Sequence, residues 1–156
     1  EATCEAVWQV DYLWVFRLSV DDYHRYIYVD SGRESVRRRI PGVLHTVNPA
    51  ANDVYSIYKE NTREYSLMKS EHFGTLLMME VGALMVGKIE NHPVCDHVDR
   101  GQEKGNFAFG GSTIIYMTQK GCVVPDQDLL TNSQEGVETK VQIGSKIGSA
   151  PFLEKG

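Results

Sequence analysis

Residues Thr75–Ile89 read TLLMMEVGALMVGKI and form the most apolar stretch of the chain. Gly82 and Gly87 break it, and a run of this length so interrupted reads as two buried strands rather than one helix. The segments on either side agree. Upstream, Glu64–Lys69 reads as extended. Ala6–Leu18 is apolar and aromatic, with Val10, Tyr12, Trp14 and Phe16 on one parity, as a strand face requires. Tyr23–Val29 is rich in Tyr, Ile and Val and ends at Asp30-Ser31-Gly32, a turn signal. Val43–Val47 reads as a short strand and Asn48-Pro49 as a turn, while Asp53–Asn61 fits a helical turn or a loop.

Downstream, polar Asn91–Lys104 reads as a loop, and Phe107–Met117 as a β-like run interrupted at Gly110-Gly111. Val123-Val124 follows, and Glu138–Ile147 alternates apolar and polar residues. The stretch VQIGSKIG within it resembles the hairpins of biotinyl and lipoyl carrier domains. These signals predict a mainly β (α+β) chain with short strands, few helices and a compact β-sandwich or barrel-sandwich-like core.

The chain has 156 residues, so one domain spanning 1–156 is expected. Its formal net charge of −5 argues against nucleic acid as a partner, because phosphate binding needs a basic surface. Within that acidic total, Arg33–Arg39 is locally basic. It reads as a solvated hairpin or loop edge, or as a patch that meets anionic lipid headgroups. The three cysteines, Cys4, Cys95 and Cys122, are widely spaced without a CxxC pair, which suits reduced thiols in a cytosol-facing setting. There is no apolar run of about 18 residues and no signal peptide, so no transmembrane segment is expected in this chain. The start at Glu1 reads as an excerpt of something longer.

Chemistry concentrates in FGGSTIIY, Phe109–Tyr116. A Gly-Ser bond ahead of a strand is commonly a plain turn, but these residue types also suit an acyl shift. The Ser112 hydroxyl would attack the carbonyl carbon of Gly111, and a residue without Cβ tolerates the distorted backbone that brings them together. β-Elimination from the resulting ester releases the Gly111 carboxylate. The dehydroalanine left behind hydrolyses to a pyruvoyl group and ammonia.

Six ordered blocks carry a family resemblance: RLSVDDYHRY (Arg17–Tyr26), PGVLHTVNP (Pro41–Pro49), ENTREYSL (Glu60–Leu67), MMEVGALMVGKI (Met78–Ile89), RGQEKGNFAFGGSTII (Arg100–Ile115) and DLLTNSQEGVETKVQIGSKIG (Asp128–Gly148). In order and spacing the chain resembles the pyruvoyl-dependent phosphatidylserine decarboxylases, second subtype. The resemblance implies self-cleavage at Gly111-Ser112, giving a β chain of 1–111 and an α chain of 112–156. The cofactor would then be the pyruvoyl group derived from Ser112, with no added cofactor. Its carbonyl would serve as electron sink for decarboxylation of phosphatidylserine to phosphatidylethanolamine. Implied partners are the lipid substrate and a membrane surface met peripherally, and a homo-oligomer is compatible with all of this.

His24, in DYHRY, matches the family's Tyr-His-Arg motif and is the histidine tied to the decarboxylation step. The family's second histidine falls on Ile27 here, so His45, in VLHTVNP, becomes the substitute processing base. The family's orienting aspartate belongs to a Pro-Val-Asp-Gly motif that this chain lacks, as it lacks the family's N-terminal membrane-docking segment. Asp30 is read as a turn residue and His72 as structural. His92, Cys95 and His97 have the spacing of metal ligands but no clear fourth, so no metal is expected. Three alternatives remain: an unprocessed or inactive member of the same family, a decarboxylase of a related serine-headgroup lipid, and a biotinyl-like binding module with Lys88 as its modified residue.

Overall fold

A computed structural model describes residues 9–42, 61–83, 88–108 and 112–151. The expectations for Val43–Val47, Asn48-Pro49 and most of Asp53–Asn61, and with them His45, lie outside the described residues, as does Gly111.

Thr75–Val81 is a strand, β6, and Lys88–Asn91 another, so the apolar stretch divides as its glycines predict. β6 lies inside a six-stranded antiparallel sheet with β1 (Val10–Leu18), β9 (Ser112–Gln119), β5 (Arg63–Ser70), β3 (Gly32–Glu34) and β4 (Arg38–Ile40). The order is β1-β9-β6-β5-β3, and β4 shares the far edge of β5 with β3. A second sheet, order β2-β8-β7, joins β2 (Arg25–Ile27), β8 (Glu103–Ala108) and β7 (Lys88–Asn91). A small pair, β10 (Val124–Pro125) with β11 (Gly148–Ser149), completes the strands.

Alternation decides which side chains meet. Met68, Leu76, Met78, Ile114 and Tyr116 leave one face of the large sheet and pack with Tyr26 and Phe107 from the small one, adding Tyr28 and Val98. This core between two sheets makes the chain mainly β, and among the described residues the sheets do not close into a barrel. Where backbones must approach closely, glycine is used. A Cβ on Gly105 would stand 2.5 Å from the Glu90 carbonyl oxygen of the neighbouring strand. The β5–β6 turn closes through Gly74 at φ +68°, a conformation other residues adopt only with strain.

Phe107–Met117 is β-like and interrupted as expected, its two parts lying in different sheets, but other expectations are corrected. Asn91–Lys104 is not wholly a loop, because β8 begins at Glu103. The polar segment after Val124 holds a helix, α1 (Gln127–Gln134), with no buried residue and so no apolar stripe to announce it. The carrier-like hairpin over Glu138–Ile147 does not form. Val141 and Ile143 stay exposed, and only Gly148–Ser149 finds a strand partner.

Candidate active site

Ser112 opens β9, the strand held between β1 and β6, and pairs with Leu18. It is fully buried, and its Oγ has no hydrogen-bond partner. An unpaired buried hydroxyl costs about 1–3 kcal/mol, so such an atom calls for an explanation.

His24 stands just before β2. Its carbonyl accepts a 2.9 Å hydrogen bond from the Phe107 N–H, which ties it to β8, the strand whose chain runs on through residues 109–111 to Ser112. Its Nδ1 lies 2.7 Å from the Asp22 carbonyl oxygen. A carbonyl only accepts, so Nδ1 carries a proton and the neutral ring keeps its lone pair on Nε2. That Nε2 is buried and unpartnered. Trp14 Nε1 and Thr118 Oγ1 are the other such atoms among the described residues. Both belong to core-facing positions farther along β1 and β9.

Charge is buried on the face that carries Ser112. In the β6–β9 register Val81 is opposite Thr113 and Glu80 opposite Ile114, which puts Glu80 on the same face as Ser112. Lys104 Nζ, from β8, lies 2.6 Å from Glu80 Oε1 and 3.5 Å from Glu34 Oε1, and none of these side chains is exposed. Asn91 Nδ2 donates to Glu64 Oε1 at 2.6 Å and to Glu80 Oε2 at 3.2 Å, while Tyr26 donates to Asn91 Oδ1. Burial pushes the Glu80 carboxyl up despite the lysine beside it. Glu34 also receives Arg37, Ser66 and Tyr28. Burial opposes its ionisation, but those hydrogen bonds prevail and hold it below the usual carboxylate range.

Asp30, read as a turn residue, does lie in the bend between β2 and β3, and it is also a fully buried carboxylate. Burial alone would raise it, yet hydrogen bonds from Ser70, Arg100 and His72 prevail and hold it well below the carboxylate range. The residue types are those of a hydrolase triad, but the connections are not. Ser70 Oγ donates to Asp30 at 2.5 Å, and His72 Nδ1 lies 3.0 Å from the same carboxylate. Ser70 Oγ in turn accepts the Phe73 N–H at 2.9 Å. The cluster organises the β5–β6 turn, and His72 belongs to it.

The remaining sequence candidates separate. His92 Nε2 binds Glu103 Oε1 at 2.8 Å, His97 turns to Asp99, and Cys95 is exposed and free. Lys88 opens β7 and pairs with Glu90 at 2.6 Å, so it is not at the tip of a carrier hairpin. Ile27, where the family's second histidine falls, pairs with Glu103, and its carbonyl accepts from the Tyr116 hydroxyl. Reading the sequence did not find the Glu80–Lys104–Glu34 cluster. Its one signal was a glutamate inside the apolar run MMEVG.

A buried serine with an unpartnered hydroxyl at the head of a central strand is the feature the fold sets apart, and comparison with known proteins supplies the family. The profile of the phosphatidylserine decarboxylase family matches residues 6–149, and this chain belongs to that family. It is 48% identical over 134 residues to phosphatidylserine decarboxylase proenzyme 2 of Clostridium acetobutylicum, covering 86% of this chain and 46% of that protein. It is 46% identical over 136 residues to the phosphatidylserine decarboxylase proenzyme of Clostridium tetani, with the same coverage. The Ruminiclostridium cellulolyticum proenzyme is 41% identical over 137 residues, again covering 86% of this chain and 46% of the relative. The chain spans about half the length of these relatives. No solved structure matches it.

Proposed function

We propose that this chain is the self-processing core of a phosphatidylserine decarboxylase, in which Ser112 cuts the bond to Gly111 and becomes a pyruvoyl group. The observation that carries this reading is the buried, unbonded Ser112 Oγ at the head of a central strand, in a chain of this family. A hydroxyl left without a partner is free to attack the preceding carbonyl, and a site closed to water protects the ester from simple hydrolysis. Position 112 suits a small group held by the backbone of β1 through its pairing with Leu18, and the next residue, Thr113, pairs with Val81 of β6. Once formed, a pyruvoyl carbonyl there supplies the electron sink for loss of carbon dioxide from a serine headgroup.

The chain's own residues divide the remaining work. His24, with its Nε2 buried and unpartnered, accepts or returns a proton during decarboxylation. His45 is assigned the processing step in place of the histidine that Ile27 replaces. No helix among the described residues is long and apolar enough to cross a membrane.

Intact-mass measurement after expression tests the first step. Two chains are expected, 1–111 and a pyruvoyl-started 112–156. Carbon dioxide release from phosphatidylserine, abolished by Ser112→Ala and by borohydride, tests the second. The isoleucine at position 27 favours a second reading, a member of the family that does not process itself. A single stable mass for the full chain would establish that reading and remove the first.

A further inference from the structure

The face of the large sheet turned away from the core is apolar, which is unusual for an antiparallel sheet that should alternate apolar-in and polar-out. The register sets its residues in straight rows across the strands. One row runs Val15, Ile115, Met79, Tyr65 and ends at Arg38 on β4. The next runs Leu13, Met117, Leu77 and Leu67. Beside Leu67 come Lys69 and, opposite it on β3, Arg33. Leu13, Val15 and Leu67 are 55%, 58% and 43% exposed, whereas Ile115 at the centre is buried. Between Arg33 and Arg38 the chain turns through Val36, which is 83% exposed.

Three cations stand unpaired at this edge. Arg33, Arg38 and Lys69 are exposed and form no ion pair or side-chain hydrogen bond among the described residues. The nearby Arg37 is different, being turned inward onto Glu34. Arg39 stands opposite Glu64, and Arg33 lines one hollow with Val36, Glu34 and Asp96, so carboxylates lie near Arg33 without pairing with it. A chain with net charge −5 therefore gathers unpaired cations along one margin of its apolar face.

We infer that this face is a docking surface for an anionic lipid bilayer, with Val36, Leu67, Leu13 and Val15 entering the interface and Arg33, Arg38 and Lys69 meeting the headgroups. Apolar area edged by free cations matches such a surface in both its layers. The inference rests on the reading of the substrate as a bilayer lipid. It concerns recruitment to the surface, and recognition of the headgroup at Ser112 is a separate event.

The test is partition of the whole chain onto phosphatidylcholine vesicles with and without phosphatidylglycerol, which is anionic but carries no serine. Binding to the anionic vesicles alone, weakened by salt, is expected. Each arginine at the surface contributes about fivefold, so Arg33→Glu with Arg38→Glu should lower partition at least about 25-fold. Lys120→Glu with Lys140→Glu, the same charge change at exposed sites elsewhere, should change it far less. Leu13→Ser with Val15→Ser should also weaken binding without lowering the melting temperature. Equal partition for both charge variants, or no binding to anionic vesicles, overturns the inference. So does a wild-type dimer that Leu13→Ser with Val15→Ser dissociates, since a second copy would then cover the face. Turnover of a soluble short-chain phosphatidylserine keeps the two readings apart. Its absence with vesicle binding intact sinks the proposed function alone, and its presence without vesicle binding sinks the docking face alone.

Discussion

Lys104 Nζ lies 2.6 Å from Glu80 Oε1, and neither side chain is exposed. The pair joins the two sheets at a telling place. Lys104 belongs to β8, which leads into Gly111, and Glu80 belongs to β6, the neighbour of the strand that begins at Ser112. Both sides of the junction are thus referred to one buried ion pair.

Removing one partner leaves an uncompensated buried charge, so Lys104→Met should cost about 3–5 kcal/mol of stability. Changing Glu80→Met as well should recover most of that loss, because a well-packed apolar pair replaces a buried ion pair at little cost. Urea unfolding of both single variants and the double variant measures the coupling. Additive losses would deny it.

Asp30 makes the fold sensitive to acid. Its folded pKa lies below the unfolded carboxylate value of about 3.9. Its stabilisation is therefore complete above the unfolded value and is lost as pH falls through the folded one. Asp30→Asn should destabilise the protein at neutral pH and flatten the acid limb of a stability–pH curve. An unchanged acid limb would show that other carboxylates dominate there.

Cleavage speed should answer to position 27. A histidine introduced by Ile27→His would supply a general base, and a gain of about 100-fold or more in the rate of chain cutting is expected. In the parent, His45→Ala should slow cutting. If cutting proceeds unchanged, His45 has no part in it.

His24 should behave in the opposite way. His24→Ala is expected to leave the two-chain mass pattern in place while carbon dioxide release falls about 100-fold to 10,000-fold. Loss of cutting in this variant would reassign His24 to processing.

The sequence made the strands legible where burial imposes a pattern. Tyr12, Trp14 and Phe16 share a parity because their face of β1 turns toward the core, and the apolar run splits because its glycines forbid continuity. α1 escaped notice because a short helix with no buried face carries no periodic signal. The VQIGSKIG alternation misled for the complementary reason: alternation makes a strand only when another strand lies alongside, and none does. Ser112 and His24 were proposed from local motifs, and each carries a buried, unpartnered polar atom. Glu80 and Lys104 are far apart in the chain, and only the docking of one sheet on the other reveals that each neutralises its partner.

β9 is hydrogen-bonded to β1 on one side and β6 on the other, and both belong to the segment before Gly111. A cut ahead of Ser112 would therefore turn β9 into a guest strand lodged in the middle of a foreign sheet. Before the cut, refolding is a first-order event in one molecule. Afterward it becomes a bimolecular search whose speed depends on concentration. Maturation would leave the native contacts almost untouched and yet remove the easy way back to them.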